Sequence, residues 1–454
     1  MNLHFLYVLS CLLIGIAVIV ILTAKFRIHA FFALLIACFI VGLSVQLSFE
    51  EVMTAIKEGF GHIMKSLGLI IVLGTTLGVI LEHTGGTRVM AAYILRKVGE
   101  KKAALSMSIT GFVVGMPIFC DSGYIVLSGL NNSLAKRTGI SMAVMAVSLA
   151  TGLYSVHCLI PPHPGAASAA GIIGVDFGKL ILWGILIAIP SAIIGYIWAA
   201  YAGKKFPASV DAREPETAEK DENNRLPSVA SAFLPVLIPI LLIAIKSFIT
   251  VEHLDDSLWL KIIMAVGDPS IALAIGIALA LNSMRPMKKS SLGALLQEGA
   301  EKAGGILVII GAGGAFGAVL AAVKIGELAA VKIGEHFSDA LPIAAMGLFF
   351  PFLLTFVLKT AQGSSTVAII TAASIIFPLL PTLGLDNENG RMLCVLAMGA
   401  GSMMISHAND AYFWVIAKFS GLDMKAMLKT YSVATLLMGL TALASTYILS
   451  LILL

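Results

Sequence analysis

Apolar positions in this chain come in long unbroken runs, each near the ~17–25 residues that cross a bilayer as an α-helix, and they recur from Leu3 to Leu454. Alternation with period two, the mark of a membrane β-barrel, is missing from them. The first run, Leu3–Thr23, has no basic residue before it and no A-x-A-like site after it, so it reads as a retained span and not as a signal peptide. One stretch breaks the pattern from within. Ala104–Leu134 is too long for a single crossing and polar at its centre, GMPIFCDSGYIVLSGL. It predicts a re-entrant hairpin at about 104–134, with a broken tip at Pro117–Gly123. Pro117 removes a backbone donor there, and Gly123 tolerates an unusual turn.

A second hairpin is predicted at about 341–380, with its tip at Lys359-Thr360-Ala361-Gln362-Gly363-Ser364-Ser365-Thr366. Broken backbone at membrane depth is stable only where protein or a water-filled cavity covers it. A further break falls in HCLIPPHPGA, where prolines surround His163, and its mate in the second half is Ser406-His407-Ala408-Asn409-Asp410. Each half therefore holds one hairpin and one discontinuous helix.

The halves are separated by Lys204–Pro227, in which 11 of 24 residues are charged and three are proline. This solvated, cytoplasmic linker divides the chain into repeats at 1–203 and 228–454. Lys57-Glu58-Gly59 matches Gln297-Glu298-Gly299, and LGTTLGVIL from Leu73 matches AGGAFGAVL from Ala312. Asp121-Ser122-Gly123 corresponds to Gly363-Ser364-Ser365, His163 to His407, and Gly174-Val175-Asp176 to Gly421-Leu422-Asp423. The offset stays between 239 and 247 through all five anchors, which identifies an internal duplication.

Charge placement orients the repeats. Lys and Arg favour cytoplasmic loops, and here they follow the first span (Lys25, Arg27), the third (Arg88, Arg96, Lys97, Lys101, Lys102) and the first hairpin (Lys136, Arg137). They recur in the linker (Lys204, Lys205, Arg213, Lys220, Arg225) and at Arg285, Lys288 and Lys289, while Glu50, Glu51, Glu58, Glu252, Asp255 and Asp256 mark the other side. Both termini are then expected outside, and the first span runs inward while its counterpart, about Val229–Phe248, runs outward. The fold expected is an all-α polytopic membrane protein of two inverted-topology repeats, an architecture of many secondary transporters.

Composition narrows the chemistry. The chain is 58% hydrophobic and 12% charged, against about 25% charge in soluble domains. No basic, aromatic-interleaved patch suggests nucleic acid. The five cysteines show no C-x-x-C spacing and read as buried thiols, without zinc or disulfides. Neither a Walker sequence nor H-E-x-x-H occurs, so neither ATP-driven transport nor a zinc-protease site is supported. No cofactor and no metal is expected. Gly304-Gly305 and Gly311-Ala312-Gly313-Gly314 read as close helix contacts.

Two hairpin tips meeting near the midplane make an anion site, because helices restarting there present free N–H groups and a partial positive charge. Ser122, Ser364, Ser365 and Thr366 add hydroxyls, and Gln362 adds an amide. Gly123, Gly363, His163, His407 and Asn409 complete the substrate-binding candidates. Lys359 either pairs with a substrate carboxylate or snorkels along its hairpin. A carboxylate inside a span is costly unless paired, hydrated or protonated. Asp121 is accordingly either an N-cap of the second hairpin arm or a proton or substrate-hydroxyl site. His163, His407 and Asp410 are the other proton-coupling candidates, since imidazole can relay protons, although Asp410 is equally placed to cap the segment after it. His4, His62, His253 and His336 read as interfacial or loop residues without a role.

GMPIFCDSGYIVLSGL, HCLIPPHPGA, LKTAQGSSTVAIITAAS and SHANDAYFW, in this order and spacing, resemble the gluconate permease family of the ion-transporter superfamily, over essentially the full chain. The resemblance implies a transporter, not an enzyme. It implies proton-driven uptake of gluconate or a related hydroxy-acid across a bacterial inner membrane, with some members taking D-serine or other sugar acids. It also implies a homodimer with a scaffold and a moving, elevator-type transport domain. A sodium-coupled carboxylate carrier, an anion channel and a membrane-embedded enzyme are the alternatives from other classes.

Overall fold

The computed structural model describes residues 3–205, 226–249, 258–282, 289–323 and 343–454. Most of the expected linker (206–225), Glu252, Asp255 and Asp256, Arg285 and Lys288, His253 and His336, and the first two residues of the second predicted hairpin lie outside the described residues. Those described form helices and connections, with no strand among them.

The first half comprises α1 (Leu3–Val20), α2 (Ala30–Ser44), α3 (Phe49–His83), α4 (Gly86–Val98), α5 (Ala103–Gly115), α6 (Cys120–Thr138), α7 (Met142–Leu159), α8 (Pro164–Ile173) and α9 (Phe177–Lys205). The second comprises α10 (Val229–Phe248), α11 (Leu258–Val266), α12 (Pro269–Asn282), α13 (Lys289–Ala322), α14 (Ile343–Gln362), α15 (Ser365–Ile376), α16 (Glu388–Met403), α17 (Ala411–Ser420) and α18 (Met424–Leu453). Among the described residues, six helical stretches are long and apolar enough to cross a membrane. A seventh is added if α11 and α12, which meet at 74°, form one broken span.

The helix ends follow local chemistry. Ser48 and Glu51 form a reciprocal capping box that starts α3. Gly174 (φ +78°) and Gly421 (φ +70°) end α8 and α17 in the left-handed conformation that glycine adopts without a Cβ penalty. Two residues later, Asp176 Oδ1 accepts a hydrogen bond from the Lys179 amide (2.8 Å), and Asp423 Oδ1 from the Ala426 amide (2.7 Å). The same stop-and-restart signal is thus written twice, at the offset found in the sequence.

Packing repeats in the same way. α5 lies on α7 as α14 lies on α16, and α7 on α9 as α16 on α18. The cross-contacts are reciprocal: α6 meets α17 and α8 meets α15, while α2 meets α13 and α3 meets α12. The self-matched pair α3 and α13 crosses at small residues. A Cβ on Gly59 would come 2.7 Å from the Ala318 Cβ, and one on Gly299 would come 2.9 Å from the Thr76 Cα. Glycine lets the two backbones approach there. Gly311, Gly313 and Gly314 serve such contacts too, whereas a Cβ on Gly304 or Gly305 would meet nothing within 4 Å among the described residues.

Two bodies result. α1–α3 pack with α10–α13, and α5–α9 with α14–α18. They meet where α8 contacts α3 and α13, where α15 contacts α13, where α9 contacts α10 and where α1 contacts α14. Both predicted hairpins are present as helix–break–helix pairs that fold back on themselves, α5/α6 across Met116–Phe119 and α14/α15 across Gly363–Ser364. Both breaks are shorter than expected. Asp121, Ser122 and Gly123 belong to the first turns of α6, and Lys359–Gln362 to the last turn of α14.

Candidate functional site

The second hairpin tip is built by Gly363 at φ +79°, which turns the chain so that Ser364 can cap α15. The Ser364 hydroxyl accepts from the Val367 amide at 3.3 Å. Carbonyls left unsatisfied at the end of α14 are taken up by the broken helix of the same half. Asn409 Nδ2 donates to the Thr360 carbonyl (2.8 Å), and His407 Nε2 donates to that oxygen at 3.2 Å. These side chains fix the tip, and Asn409 also borders the space in front of it.

That space is a cavity of about 460 Å³. Asp121 reaches it from α6, Gln362, Gly363, Ser364, Ser365 and Thr366 from the second tip, and Asn409 and Asp410 from the segment before α17. The structure therefore brings most of the predicted site together. His163 is not part of the lining: its buried ring donates from Nε2 to the Gly115 carbonyl (2.6 Å), at the end of the first hairpin arm. Gly123 packs against Leu153, and Ser122 does not border the cavity.

Asp121 is not the N-cap of α6. That position is Phe119, which makes no side-chain cap. Among the described residues, the one hydrogen bond recorded for the Asp121 carboxylate is a long 4.0 Å contact from the Cys120 thiol. Asp410 is its opposite. Its Oδ1 accepts from the Tyr412 amide (3.0 Å) as the N-cap of α17, and its Oδ2 accepts from the Ser406 hydroxyl at 2.5 Å. The Lys359 ammonium lies 3.3 Å from the same Oδ2, an ion pair without hydrogen-bond geometry. Lys359 neither snorkels nor enters the cavity: it is fully buried, and its charge is balanced by Asp410. Asp121 is the acid left to face the cavity without a charge partner among the described residues.

Several lining residues escape sequence reasoning. His157, on α7, borders the cavity with a buried Nδ1 that has no partner among the described residues, and its ring stacks on Tyr154. Tyr154 and Tyr412 stack at 5.7 Å and tie α7 to α16 and α17 by donating to the carbonyls of Ser402 (3.2 Å) and Ala150 (3.3 Å). Both amide atoms of Gln362 are likewise buried and unpartnered among the described residues. Lys302 comes from α13, in the other body, and is held by Glu298 (2.7 Å), which also accepts from His83 (2.9 Å). His157 shares a motif with His163, but the bend at Ile160–His163 hides which ring faces inward. Lys302 gave a weaker signal, lying one helical turn beyond the Gln297-Glu298-Gly299 anchor.

The arrangement can bind a small polar anion. Two helix N-termini and three hydroxyls supply donors. Unpaired buried polar atoms are costly unless a ligand or water meets them, and Gln362 and His157 offer such atoms here. The volume falls in the range of about 300–1,000 Å³ usual for small-molecule sites. Among the described residues, no group of three or more His, Cys, Asp or Glu is arranged to hold a metal.

A family profile described as GntP family permease matches residues 7–452. A gluconate permease of Pseudomonas aeruginosa is 33% identical over 99% of both chains. The D-serine transporter DsdX of Escherichia coli K12 is 30% identical, over 98% of this chain and 99% of its own. In fold, the chain is similar to the crystal structure of the Alcanivorax borkumensis YdaH transporter. The TM-score is 0.63 at 16% identity, covering 89% of this chain and 90% of that one.

Proposed function

Because the chain belongs to the GntP permease family, and is therefore a multi-pass membrane transporter and not an enzyme, we propose that it takes up D-gluconate or a closely related sugar acid by proton symport. The observation that carries this reading is Asp121, an acid without a charge partner in a cavity otherwise built to receive an anion. Two carboxylates in one enclosed space repel unless a proton is shared into it. Proton and substrate then favour each other's binding, which is what symport requires. The substrate carboxylate lies against the amide ends and hydroxyls of Ser364, Ser365 and Thr366, and its hydroxyls meet Gln362, His157 and Asp121.

In this reading the body of α5–α9 and α14–α18 slides along the α3/α13 pair and carries the site across, an elevator movement. The repeats are inverted in the membrane, with both termini periplasmic and the linker cytoplasmic, in a bacterial inner membrane. The homodimer implied by the resemblance is tested by light scattering of the purified protein. D-serine is a second reading, supported by the DsdX relative and by Asp121, which suits an ammonium group.

The test is uptake into proteoliposomes under an imposed pH gradient, with a counterflow panel of gluconate, other hexonates, D-glycerate and D-serine. Gluconate should accumulate when the outside is more acidic. Asp121→Asn should abolish accumulation while leaving equilibrative counterflow. Uptake that follows sodium and ignores the pH gradient would refute the coupling.

A further inference from the structure

A second cavity, of about 340 Å³, opens elsewhere along the seam between the two bodies. Glu58 and His62 of α3 line it, facing Ile172 of α8 and Phe377, which follows α15. His62, read from the sequence as interfacial and without a role, lies within the 35-residue α3 and borders this space.

The duplication relates the two cavities. The offset of 240 that carries Glu58 onto Glu298 also carries His62 onto Lys302 (298 − 58 = 302 − 62 = 240). Glu298 and Lys302 are one turn apart on α13, with Lys302 in the first cavity. Glu58 and His62 have the same spacing on α3, the packing counterpart of α13, and both line the second. The reciprocal contacts of Gly59 with α13 and Gly299 with α3 make the crossing similar from either end. The body that carries the hairpin tips thus has two related berths along one pair of helices.

We infer that Glu58 and His62 form the mouth of the substrate site in the opposite-facing state, in the place that Glu298 and Lys302 hold here. The inference rests on the elevator reading proposed above. It assigns the substrate an ammonium at one face and an imidazole at the other, each beside a glutamate.

Two cysteine pairs in the full-length protein in membranes test it without any substrate: Lys302→Cys with Thr366→Cys, and His62→Cys with Thr366→Cys. A short bifunctional thiol reagent should link both pairs. Each link should trap the cavity open to a different face, read by an impermeant thiol label. Linking of the Lys302 pair alone, under all conditions, overturns the inference. If both pairs link but no sugar acid is transported, the substrate reading fails and the inference stands. In transporting protein, His62→Gln should raise KM at one face only and Lys302→Gln at the other, each roughly two- to fivefold, as for a half-exposed ion pair. Equal effects of both variants at one face refute the assignment.

Discussion

Exchanging Asp410 for asparagine should destabilise the protein more than any other single-atom change near the site. Lys359 is fully buried, and among the described residues its ammonium has one charge partner, Asp410 Oδ2 at 3.3 Å. Removing one member of a buried pair costs about 3–5 kcal/mol, because the other is left uncompensated. Asparagine caps helices about as well as aspartate, so the contact to the Tyr412 amide survives in Asp410→Asn and the loss isolates the charge. Lys359→Met is the milder variant, since Asp410 keeps its bonds from Ser406 and Tyr412. The double variant strands no charge and should recover much of the loss, with coupling beyond the ~0.5 kcal/mol scatter of additive pairs. Domains of 150–250 residues shift by about 2–4 °C per kcal/mol. The lower coefficient suits a larger protein, giving a Tm loss of about 6–10 °C for Asp410→Asn. Intrinsic-fluorescence melting of the four proteins in one detergent measures it. Additive losses, or an Asp410→Asn protein as stable as the parent, would mean that the two groups do not neutralise each other.

Gln362→Ala should raise KM for gluconate up to about tenfold, the equivalent of a neutral hydrogen bond of ~0.5–1.5 kcal/mol, with the melting temperature unchanged; an unchanged KM places the amide off the substrate. Gly363→Ala should lower stability by more than about 1 kcal/mol, because alanine resists φ +79° and its Cβ would strike the Asn409 carbonyl. Melting temperature reads this, and a neutral result would relocate the hinge of the second tip. Asp121→Asn should separate accumulation from counterflow in proteoliposomes, and normal accumulation would make Asp121 a bystander.

Features set by local chemistry were legible in the sequence. The break at Pro117 and the turn at Gly363 follow from backbone restrictions of one or two residues, and Val229–Phe248 was legible as an apolar run. The duplication was legible because five anchors, the Gly174/Asp176 and Gly421/Asp423 pair among them, keep their order at offsets of 239 to 247. What was not legible depends on tertiary contact. Spacing cannot tell that α6 starts before Asp121, that Lys359 reaches Asp410, or that the bend after α7 turns His157 toward the cavity and His163 toward Gly115. An intramembrane histidine between prolines attracts attention, yet its ring here braces the end of α5.

The same contacts bear on how affinity and movement are linked. Lys359 is the basic residue nearest the second tip in sequence, but its charge is already balanced by Asp410. The ammonium that borders the cavity belongs to Lys302 of α13, which is paired with Glu298. An anion held by the tips and by Lys302 at once favours the position in which those elements adjoin. In the elevator reading, translocation releases that contact, since a ligand shifts an equilibrium only by its differential affinity for the two states. In the elevator reading, the charge on α13 makes the two faces distinguishable to the substrate.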